Sequence, residues 1–334
     1  MDHDQPDQQD PRRRSVVISR VVKWSLCGLI LWFVGQRARS LLAGSSWTDV
    51  EIAPEWVALS AMIYCIGWIP SVWFWHSLLR SLGQNVHWTD TARAYYCGHL
   101  GKYIPGKATV LFIRGGLLKD RGSSFGIAAL TATYETLVMM GTGLACGLAM
   151  LPSLFTPGQQ SILPAWLSEL AGHRTLFPLA IVGIALLALP LSSFLLNRIA
   201  QKMTPVREQE TATEIRTRFL ALGMLLFVIS WSLHAISLMC ILRGLGGEDL
   251  GWRTFPQCFA AVTLATSIGF IALFAPGGVG IREGILIETT RTLPGVEAAI
   301  AVTAAIALRL VWLITELLVG GILFLSRRQR PQSD

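Results

Sequence analysis

Charged residues are scarce in this sequence of 334 amino acids. Asp, Glu, Lys and Arg make up 15% of it, whereas an ordinary soluble domain has about a quarter. Hydrophobic residues make up 52%, and the mean hydropathy is +0.50. Long polar stretches are equally scarce, since apolar runs recur from residue 16 to residue 325 and leave no room for a separate soluble catalytic domain. We therefore expect an all-α, polytopic membrane protein whose function lies in its membrane helices.

Motifs of common enzyme sites are also missing. The sequence has no nucleophile elbow, P-loop or zincin helix. No two of the six cysteines form a C-x-x-C pair, and the histidines at 76, 99 and 234 lack metal-ligand spacing. We therefore predict no catalytic residue, no metal site and no cofactor, and we expect each of these histidines to be uncharged and hydrogen-bonded. The net charge of +7 reflects basic residues beside apolar runs, so no nucleic-acid partner is expected.

Apolar runs long enough to cross the bilayer occur six times, since a hydrocarbon core of about 30 Å needs about 20 helical residues. These runs are 16–35, 54–79, 123–151, 176–196, 219–242 and 296–325. Gly143-x-x-x-Gly147, in the third run, predicts close helix packing. Proline and glycine break two further segments, 91–118 and 254–290, near their middles. We expect two re-entrant helical hairpins there, with a full crossing as the alternative for 254–290.

Basic clusters predict the orientation, because Lys and Arg remain on the cytoplasmic side. They lie in residues 12–23, 198–218 and 327–330. We therefore predict that the protein spans the cytoplasmic (inner) membrane of the cell with both termini on the cytoplasmic side. We expect a disordered N-terminus at 1–15, one transmembrane domain at 16–325 and a tail at 326–334. The two broken segments then enter from opposite faces. This pattern predicts an inverted pseudo-repeat with halves at about 16–196 and 217–325, and interrupted helices in matching positions indicate a transport site.

The first broken segment combines cations with glycines. It reads Gly98-His99-Leu100-Gly101-Lys102-Tyr103-Ile104-Pro105-Gly106-Lys107, with Arg114 further on. Amides freed at a helix break, a positive helix end and nearby Lys or Arg form a site for phosphate. The alternative is an interfacial loop whose lysines extend to the lipid headgroups. The residues predicted to bind a lipid phosphate are Lys102, Tyr103, Pro105, Gly106, Lys107 and Arg114.

The second broken segment places glycines beside an Arg-Glu pair. It reads Phe274-Ala275-Pro276-Gly277-Gly278-Val279-Gly280-Ile281-Arg282-Glu283-Gly284. Glycines let the backbone approach a ligand closely, and Glu283 can partly neutralise Arg282 when no anion is bound. The alternative is a tight turn held by an ion pair. The candidate binding residues are Pro276, Gly277, Gly278, Gly280, Arg282 and Glu283.

Three further charges lie within predicted membrane helices, namely Glu135, Arg309 and Glu316. A charge at the bilayer centre costs about 2.5 to 3.5 kcal/mol on insertion scales, so these side chains should face the bundle interior and pair or bind ligand. We expect Glu135 to pair with Arg114, Arg282 or Arg309; the sequence leaves the choice among them open.

Together, the two motifs resemble a known family. Residues 100–107 with Arg114, and residues 276–284, are similar to the signatures of the lysylphosphatidylglycerol synthase transmembrane-region family of flippase-like proteins. Glu135 and Arg309 also lie where such proteins tend to carry an acid and an arginine. Bifunctional members have a soluble aminoacyl-transferase domain after the membrane part; this chain stops at Asp334, so no synthase activity is expected. The resemblance implies movement of lipids, glycolipids or polyprenyl-phosphate sugars between leaflets, the sugars being supplied by partner glycosyltransferases.

Three functions are compatible with these residues. The first is a flippase-like transporter, not an enzyme, that carries an anionic phospholipid or a polyprenyl-phosphate glycolipid through a cationic groove between the two hairpins. The second is a non-transporting partner of a glycosyltransferase or a lipid-synthesis complex. Both of these functions are compatible with a homo-oligomer. The third is a membrane-embedded headgroup transferase, whose candidate reactive groups are Glu135, Glu283, Glu316, His99 and Tyr103.

Overall fold

The computed structural model describes residues 32, 36, 53–103, 108–119, 121–154, 173, 175–203, 214–246, 250–272 and 278–326. All regular structure in these residues is helical, which confirms the expected all-α class. Short 3-10 turns lie at Leu100–Tyr103, Leu151–Leu154 and Trp252–Thr254. The α-helices are α1 (Pro54–Gly67), α2 (Ile69–Ser81), α3 (Trp88–His99), α4 (Ala108–Leu118), α5 (Phe125–Ala149), α6 (Leu176–Met203), α7 (Thr217–Gly244), α8 (Phe255–Ile271), α9 (Ile281–Thr290) and α10 (Ala298–Leu325).

Five helical stretches of the described residues are long and apolar enough to cross a membrane. They are Pro54–Ser81, Leu176–Lys202, Thr217–Gly244, Trp252–Ile271 and Ala298–Leu325. Four coincide with the predicted runs 54–79, 176–196, 219–242 and 296–325. The run 123–151 forms α5, which has 25 residues but is not one of these five. Apart from the helical Trp32, the run 16–35 lies outside the described residues, as do the predicted N-terminus at 1–15 and most of the tail.

Both predicted broken segments consist of two helices that pack against each other. In the first, α3 has 12 residues and α4 has 11. Each helix therefore has about half of the residues that a membrane-spanning helix needs. In the second, α8 has 17 residues and α9 has 10. The breaks themselves, at 104–107 and 273–277, lie outside the described residues. The structure therefore gives no description of the predicted site residues Pro105, Gly106, Lys107, Pro276 and Gly277.

Helix α7 lies at the centre of the bundle. Of its most apolar 18-residue stretch, 61% is buried, against 17% for α6. Helix α1 packs along α7, and the hydroxyl oxygens of Ser60 and Ser237 lie 2.8 Å apart. Each hydroxyl also lies within 3.1 Å of the other residue's carbonyl oxygen. Such hydroxyl contacts hold membrane helices together, so the inner face of α1 is fixed against α7.

The segment 54–81 bends where α1 meets α2. Pro70 lies in the first turn of α2, and its ring nitrogen cannot donate a hydrogen bond to the preceding turn. Helix α1 consequently ends at Gly67, and the backbone N–H of Trp68 bonds back to the carbonyls of Cys65 and Ile66. Tyr64 and Trp68, just before the bend, are both buried in the bundle.

The glycines of the Gly143-x-x-x-Gly147 pattern lie where α5 approaches α7 and α8. A Cβ atom on Gly143 would lie 2.7 Å from the Trp231 ring, and one on Gly147 would lie 2.7 Å from Leu264. Gly141, by contrast, is exposed and has nothing within 4 Å of its Cβ position. The prediction of close helix packing is confirmed.

Gly143→Leu should lower the stability of the fold by about 1 to 3 kcal/mol, because the added side chain collides with packed neighbours. The matched control is Gly141→Leu, on the same helix, which should change stability little because its Cβ position is open. Thermal unfolding of the purified protein in detergent measures both. Equal shifts of Tm for the two variants would contradict the close packing described for α5.

Candidate functional site

One face of α10 carries a line of polar and charged residues. Arg309, Trp312 and Glu316 have the spacing that places side chains on the same side of a helix. Trp312 and Glu316 are buried. This face contacts the first broken segment through Glu316 and the second through Arg309. Helix α10 therefore links both segments that the sequence singles out.

Glu316 accepts hydrogen bonds from three residues. Lys102 forms an ion pair with it, and the hydroxyl of Tyr103 donates to Oε2 at 2.9 Å. The hydroxyl of Tyr64, on α1, donates to Oε1. These donors offset the cost of burying a carboxylate. The structure thus brings the predicted residues Lys102 and Tyr103 together with Glu316.

Arg114 and Glu135 form a fully buried ion pair. The guanidinium Nη1 of Arg114 lies 2.8 Å from Oε2 of Glu135, and the Tyr95 hydroxyl donates to Oε1 at 2.9 Å. The guanidinium carbon also lies 3.9 Å from the centre of the Tyr95 ring. Of the three arginines expected as partners for Glu135, Arg114 is the one that pairs with it. Arg114 was predicted to contact phosphate, but in this structure its guanidinium forms an ion pair with the Glu135 carboxylate.

Glu283 pairs with Arg309 and not with Arg282. Nε of Arg309 lies 2.7 Å from Oε1 of Glu283, while Oε2 accepts the backbone N–H of Gly280 at 2.6 Å. Glu283 therefore forms no ion pair with Arg282, and its expected partial neutralisation of Arg282 can act only over a longer distance. Consecutive residues of a helix project about 100° apart, so Glu283 meets Arg309 of α10 while Arg282 lies near the Trp312 ring of the same helix.

Arg282 is buried without an acidic partner. Its side chain is 7% exposed, and no carboxylate of the described residues lies within ion-pair distance. Nη2 donates to the hydroxyl of Thr266 at 2.8 Å, and the guanidinium carbon lies 5.8 Å from the centre of the Trp312 ring. The guanidinium thus has donors that no anion uses.

Two glycines form the cradle through which the Arg282 side chain passes. A Cβ atom on Gly269 would overlap Cγ of Arg282, and one on Gly278 would lie 2.9 Å from Cδ. Gly278 and Gly280 have φ angles of 71° and 88°, which residues with side chains rarely adopt. The glycines of this segment therefore permit both the turn and the close approach of the arginine.

The two broken segments share this local arrangement. Gly98 of α3 makes room for Arg114 of α4, since a Cβ there would lie 2.5 Å from Cγ of the arginine. Gly269 of α8 does the same for Arg282 of α9. The parallel is confined to these two contacts, and the expected pseudo-repeat stays a prediction. The segments differ in charge, however, because Glu135 neutralises Arg114 and only a hydroxyl binds Arg282.

The region around α10 carries an excess of positive charge. Among the described residues, the cations Lys102, Arg282 and Arg309 meet only the carboxylates Glu283 and Glu316. Lys102 and Arg282 both lie beside α10, through Glu316 and the Trp312 ring respectively. Oriented cations in a region shielded from water attract an anion strongly. Within the same described residues, no group of three His, Cys, Asp or Glu side chains is placed to hold a metal ion.

Some site residues carry no sequence signal. Tyr64 and Thr266 belong to apolar helices, and only packing brings their hydroxyls to Glu316 and Arg282. Trp312 lies three residues after Arg309 on α10. Its helical spacing from Arg309 and Glu316 is the one pattern from which its presence at the site could be predicted.

Glu135→Gln should destabilise the protein by about 3 to 5 kcal/mol, because it leaves the Arg114 guanidinium buried without its carboxylate. The matched control is Asp90→Asn, which removes the more exposed pair with Arg121, at 3.5 Å. We expect a loss of less than about 1 kcal/mol there. Thermal unfolding compares the two variants; a similar, small effect of both would contradict the structural role of the Arg114–Glu135 pair.

Comparison with known proteins gives both a family and a relative of this chain. Residues 15–320 match the family described as lysylphosphatidylglycerol synthase TM region. The chain is also similar to the UPF0104 membrane protein PH1989 of Pyrococcus horikoshii, with 25% identity over 342 residues that cover 92% of this chain and 96% of the relative. The family match includes both broken segments and all but the end of α10. The chain therefore belongs to the lysylphosphatidylglycerol synthase transmembrane-region family.

Proposed function

We propose that this protein is a flippase-like transporter that moves an anionic lipid between the leaflets of the cytoplasmic membrane and has no enzymatic activity of its own. Its family and its apolar helices support a lipid-related role in a membrane. The observation that carries the proposal is Arg282, a buried arginine with which no carboxylate of the described residues forms an ion pair.

A lipid phosphate would supply the negative charge with which Arg282 can form an ion pair. Removing a cation from water costs several kcal/mol unless an anion compensates it, and the hydroxyl of Thr266 offsets only part of that cost. A phosphate also accepts hydrogen bonds from the planar guanidinium in a bidentate manner. Arg282 is therefore the principal phosphate-binding residue in this proposal.

Lys102 contributes the second contact, from the other broken segment. Glu316 holds it about one helical turn along α10 from Trp312, whose ring lies beside Arg282. A phosphate bound by both residues touches both interrupted segments, which suits a transport site between two halves of a repeat. The breaks then border the same site, and the residues in them that we propose to face the headgroup are Pro105, Gly106, Lys107, Pro276 and Gly277. Arg114 is assigned a structural role instead, because Glu135 already binds it.

Transport requires the ion pairs on α10 to open. The phosphate competes with Glu316 for Lys102, while the Glu283–Arg309 pair ties the second segment to the same helix. Opening one pair at a time would expose the site to one leaflet and then to the other as two re-entrant hairpins move. The acyl or prenyl tails stay in the bilayer. Both termini are cytoplasmic in this scheme, and the substrate is an anionic phospholipid or a polyprenyl-phosphate glycolipid that a glycosyltransferase partner supplies.

Arg282→Gln should reduce transport at least about tenfold, since a hydrogen bond to a charged group is worth about 1.5 to 3 kcal/mol. The measurement is leaflet exchange of a fluorescent phosphatidylglycerol in vesicles that contain the purified protein. Arg291→Gln is the matched control, because Arg291 lies just after α9 in a half-exposed pair with Glu288. Unchanged exchange in Arg282→Gln would contradict the transporter and favour a non-transporting partner of a lipid-synthesis complex.

Glu316→Gln should increase the retention of anionic lipid about tenfold while it slows exchange, because the phosphate then meets Lys102 without a competing carboxylate. Native mass spectrometry of the purified variant measures the retained phosphatidylglycerol. Glu288→Gln, on the surface pair with Arg291, is the control. Retention that falls or stays equal to wild type would show that Glu316 does not compete with the ligand.

A further inference from the structure

Two of the three histidines singled out in the sequence have the expected hydrogen bond. His76 lies 2.9 Å from the hydroxyl of Thr91, and Nδ1 of His99 lies 3.4 Å from Nη2 of Arg114. The expectation is wrong for His234, which is buried and whose ring nitrogens have no partner within the described part of the chain. Of the three histidines, His99 is the one that belongs to the first broken segment.

The contact with Arg114 fixes the position of the proton on the His99 imidazole. A guanidinium has N–H donors and no acceptor, so Nδ1 of His99 accepts the hydrogen bond and carries no proton. The neutral ring then has its one proton on Nε2. Within the described residues, Nε2 has no hydrogen-bond partner. His99 therefore has one N–H donor that these residues do not use.

Aromatic rings and an ion pair hold the imidazole in place. It stacks on the Tyr95 ring, with centres 5.2 Å apart, and the centre of the Trp68 ring lies 4.1 Å away at an angle of 60°. Arg114 is itself fixed by its ion pair with Glu135. Arg114 and Glu135 are buried, whereas His99 is half-buried. The buried pair thus orients an imidazole that is more accessible than the pair itself.

His99 lies beside Lys102 on the first broken segment. Helix α3 ends at His99, and the 3-10 turn Leu100–Tyr103 follows directly, with helical backbone angles at Leu100 (φ −62°, ψ −24°). Residues three apart in such a stretch lie on the same side, one turn apart. Glu316 holds Lys102, which is the second phosphate contact of the proposed function. The imidazole is therefore a neighbour of a residue that we propose to bind phosphate.

The charged neighbours of the ring cannot accept from Nε2. Arg114 and Lys102 have N–H donors and no acceptor, so the partner of Nε2 has to come from another group. An acceptor that both cations attract is an anion. The arrangement of two cations around one oriented N–H donor therefore favours a phosphate oxygen as the partner of Nε2.

We propose that His99 binds the phosphate of the transported lipid by donating from Nε2, an inference that rests on the proposed function. Lys102 supplies charge on a flexible chain, while the held imidazole supplies a donor of fixed direction. Arg114 and Glu135 are then positioning residues, because they keep Nδ1 of His99 unprotonated without touching the phosphate. The ligand chemistry is a phosphate group, whether of a lipid headgroup or free in solution.

The first measurement is NMR spectroscopy of the full-length protein, purified in detergent with 15N-labelled histidine. The ring-nitrogen signals distinguish the two neutral tautomers from each other and from the charged ring, and the signals that vanish in His99→Gln belong to His99. Before lipid is added, His99 should be neutral and protonated on Nε2. A ring protonated on Nδ1, or on both nitrogens, would overturn the inference.

Three probes then test whether Nε2 meets a phosphate. Phosphatidylglycerol should shift the Nε2 signal of His99 and leave that of His76 unchanged, and diacylglycerol, which lacks the phosphate, should shift neither. Inorganic phosphate decides the source of the ligand: a shift shows that the phosphate alone suffices, and no shift shows that the lipid is required. No shift with phosphatidylglycerol, or an equal shift with diacylglycerol, would overturn the inference.

His99→Phe keeps an aromatic ring between Tyr95 and Trp68 but removes the donor. It should lower the retention of phosphatidylglycerol, measured by native mass spectrometry, about tenfold, the worth of a hydrogen bond to a charged group. His99→Gln keeps an N–H donor and should lower retention less. The matched control is His76→Phe, another half-buried histidine, bonded to Thr91, which should retain the lipid as wild type does.

The outcomes separate this inference from the proposed function. If Arg282→Gln loses phosphatidylglycerol while His99→Phe retains it at the wild-type level, only the role of His99 fails. If Arg282→Gln retains the lipid at the wild-type level, the phosphate site of the proposed function fails, and the inference fails with it. Should His99→Phe not fold, the tautomer and the lipid-induced shift in the wild-type spectrum still decide the role of His99.

Discussion

A charge buried among apolar helices needs an opposite charge or a ligand, and the rest of the site depends on this constraint. Helix α10 meets the constraint on one face, where Glu316 binds Lys102 and Arg309 binds Glu283. These two pairs connect one long membrane helix to both interrupted segments. In the proposed transporter, movement of either segment would require one of these pairs to open.

Arg114 and Arg282 differ in whether a carboxylate pairs with them, and this difference makes the two broken segments unlike in charge. Both arginines pass a glycine of the facing helix, so the local geometry of the two segments is alike. Only Arg114 has a carboxylate partner among the described residues. The first broken segment thus has a neutralised, structural arginine, whereas the second keeps a cation that, in the proposed function, a lipid phosphate neutralises. In this account the asymmetry makes the second segment the principal binding element.

Composition and spacing predict much of this architecture, because hydrophobic length and helix breaks are local properties of the chain. The helices at 54–81, 176–203, 217–244 and 298–325, and the need of Glu135 for an arginine, are local in this sense. Partner choice is different. Glu283 pairs with Arg309, and Tyr64 reaches Glu316, only through packing between helices. The local sequence around a tyrosine or histidine in an apolar run does not indicate which side chains of other helices it contacts.

The central claim is that an anionic lipid neutralises Arg282. The most direct test is an electron cryo-microscopy structure of the protein in nanodiscs that contain phosphatidylglycerol. The account predicts phosphate density within hydrogen-bond distance of the Arg282 guanidinium, with Lys102 turned toward the same density. A structure in which a carboxylate of the chain pairs with Arg282, and no lipid density lies beside it, would contradict the claim.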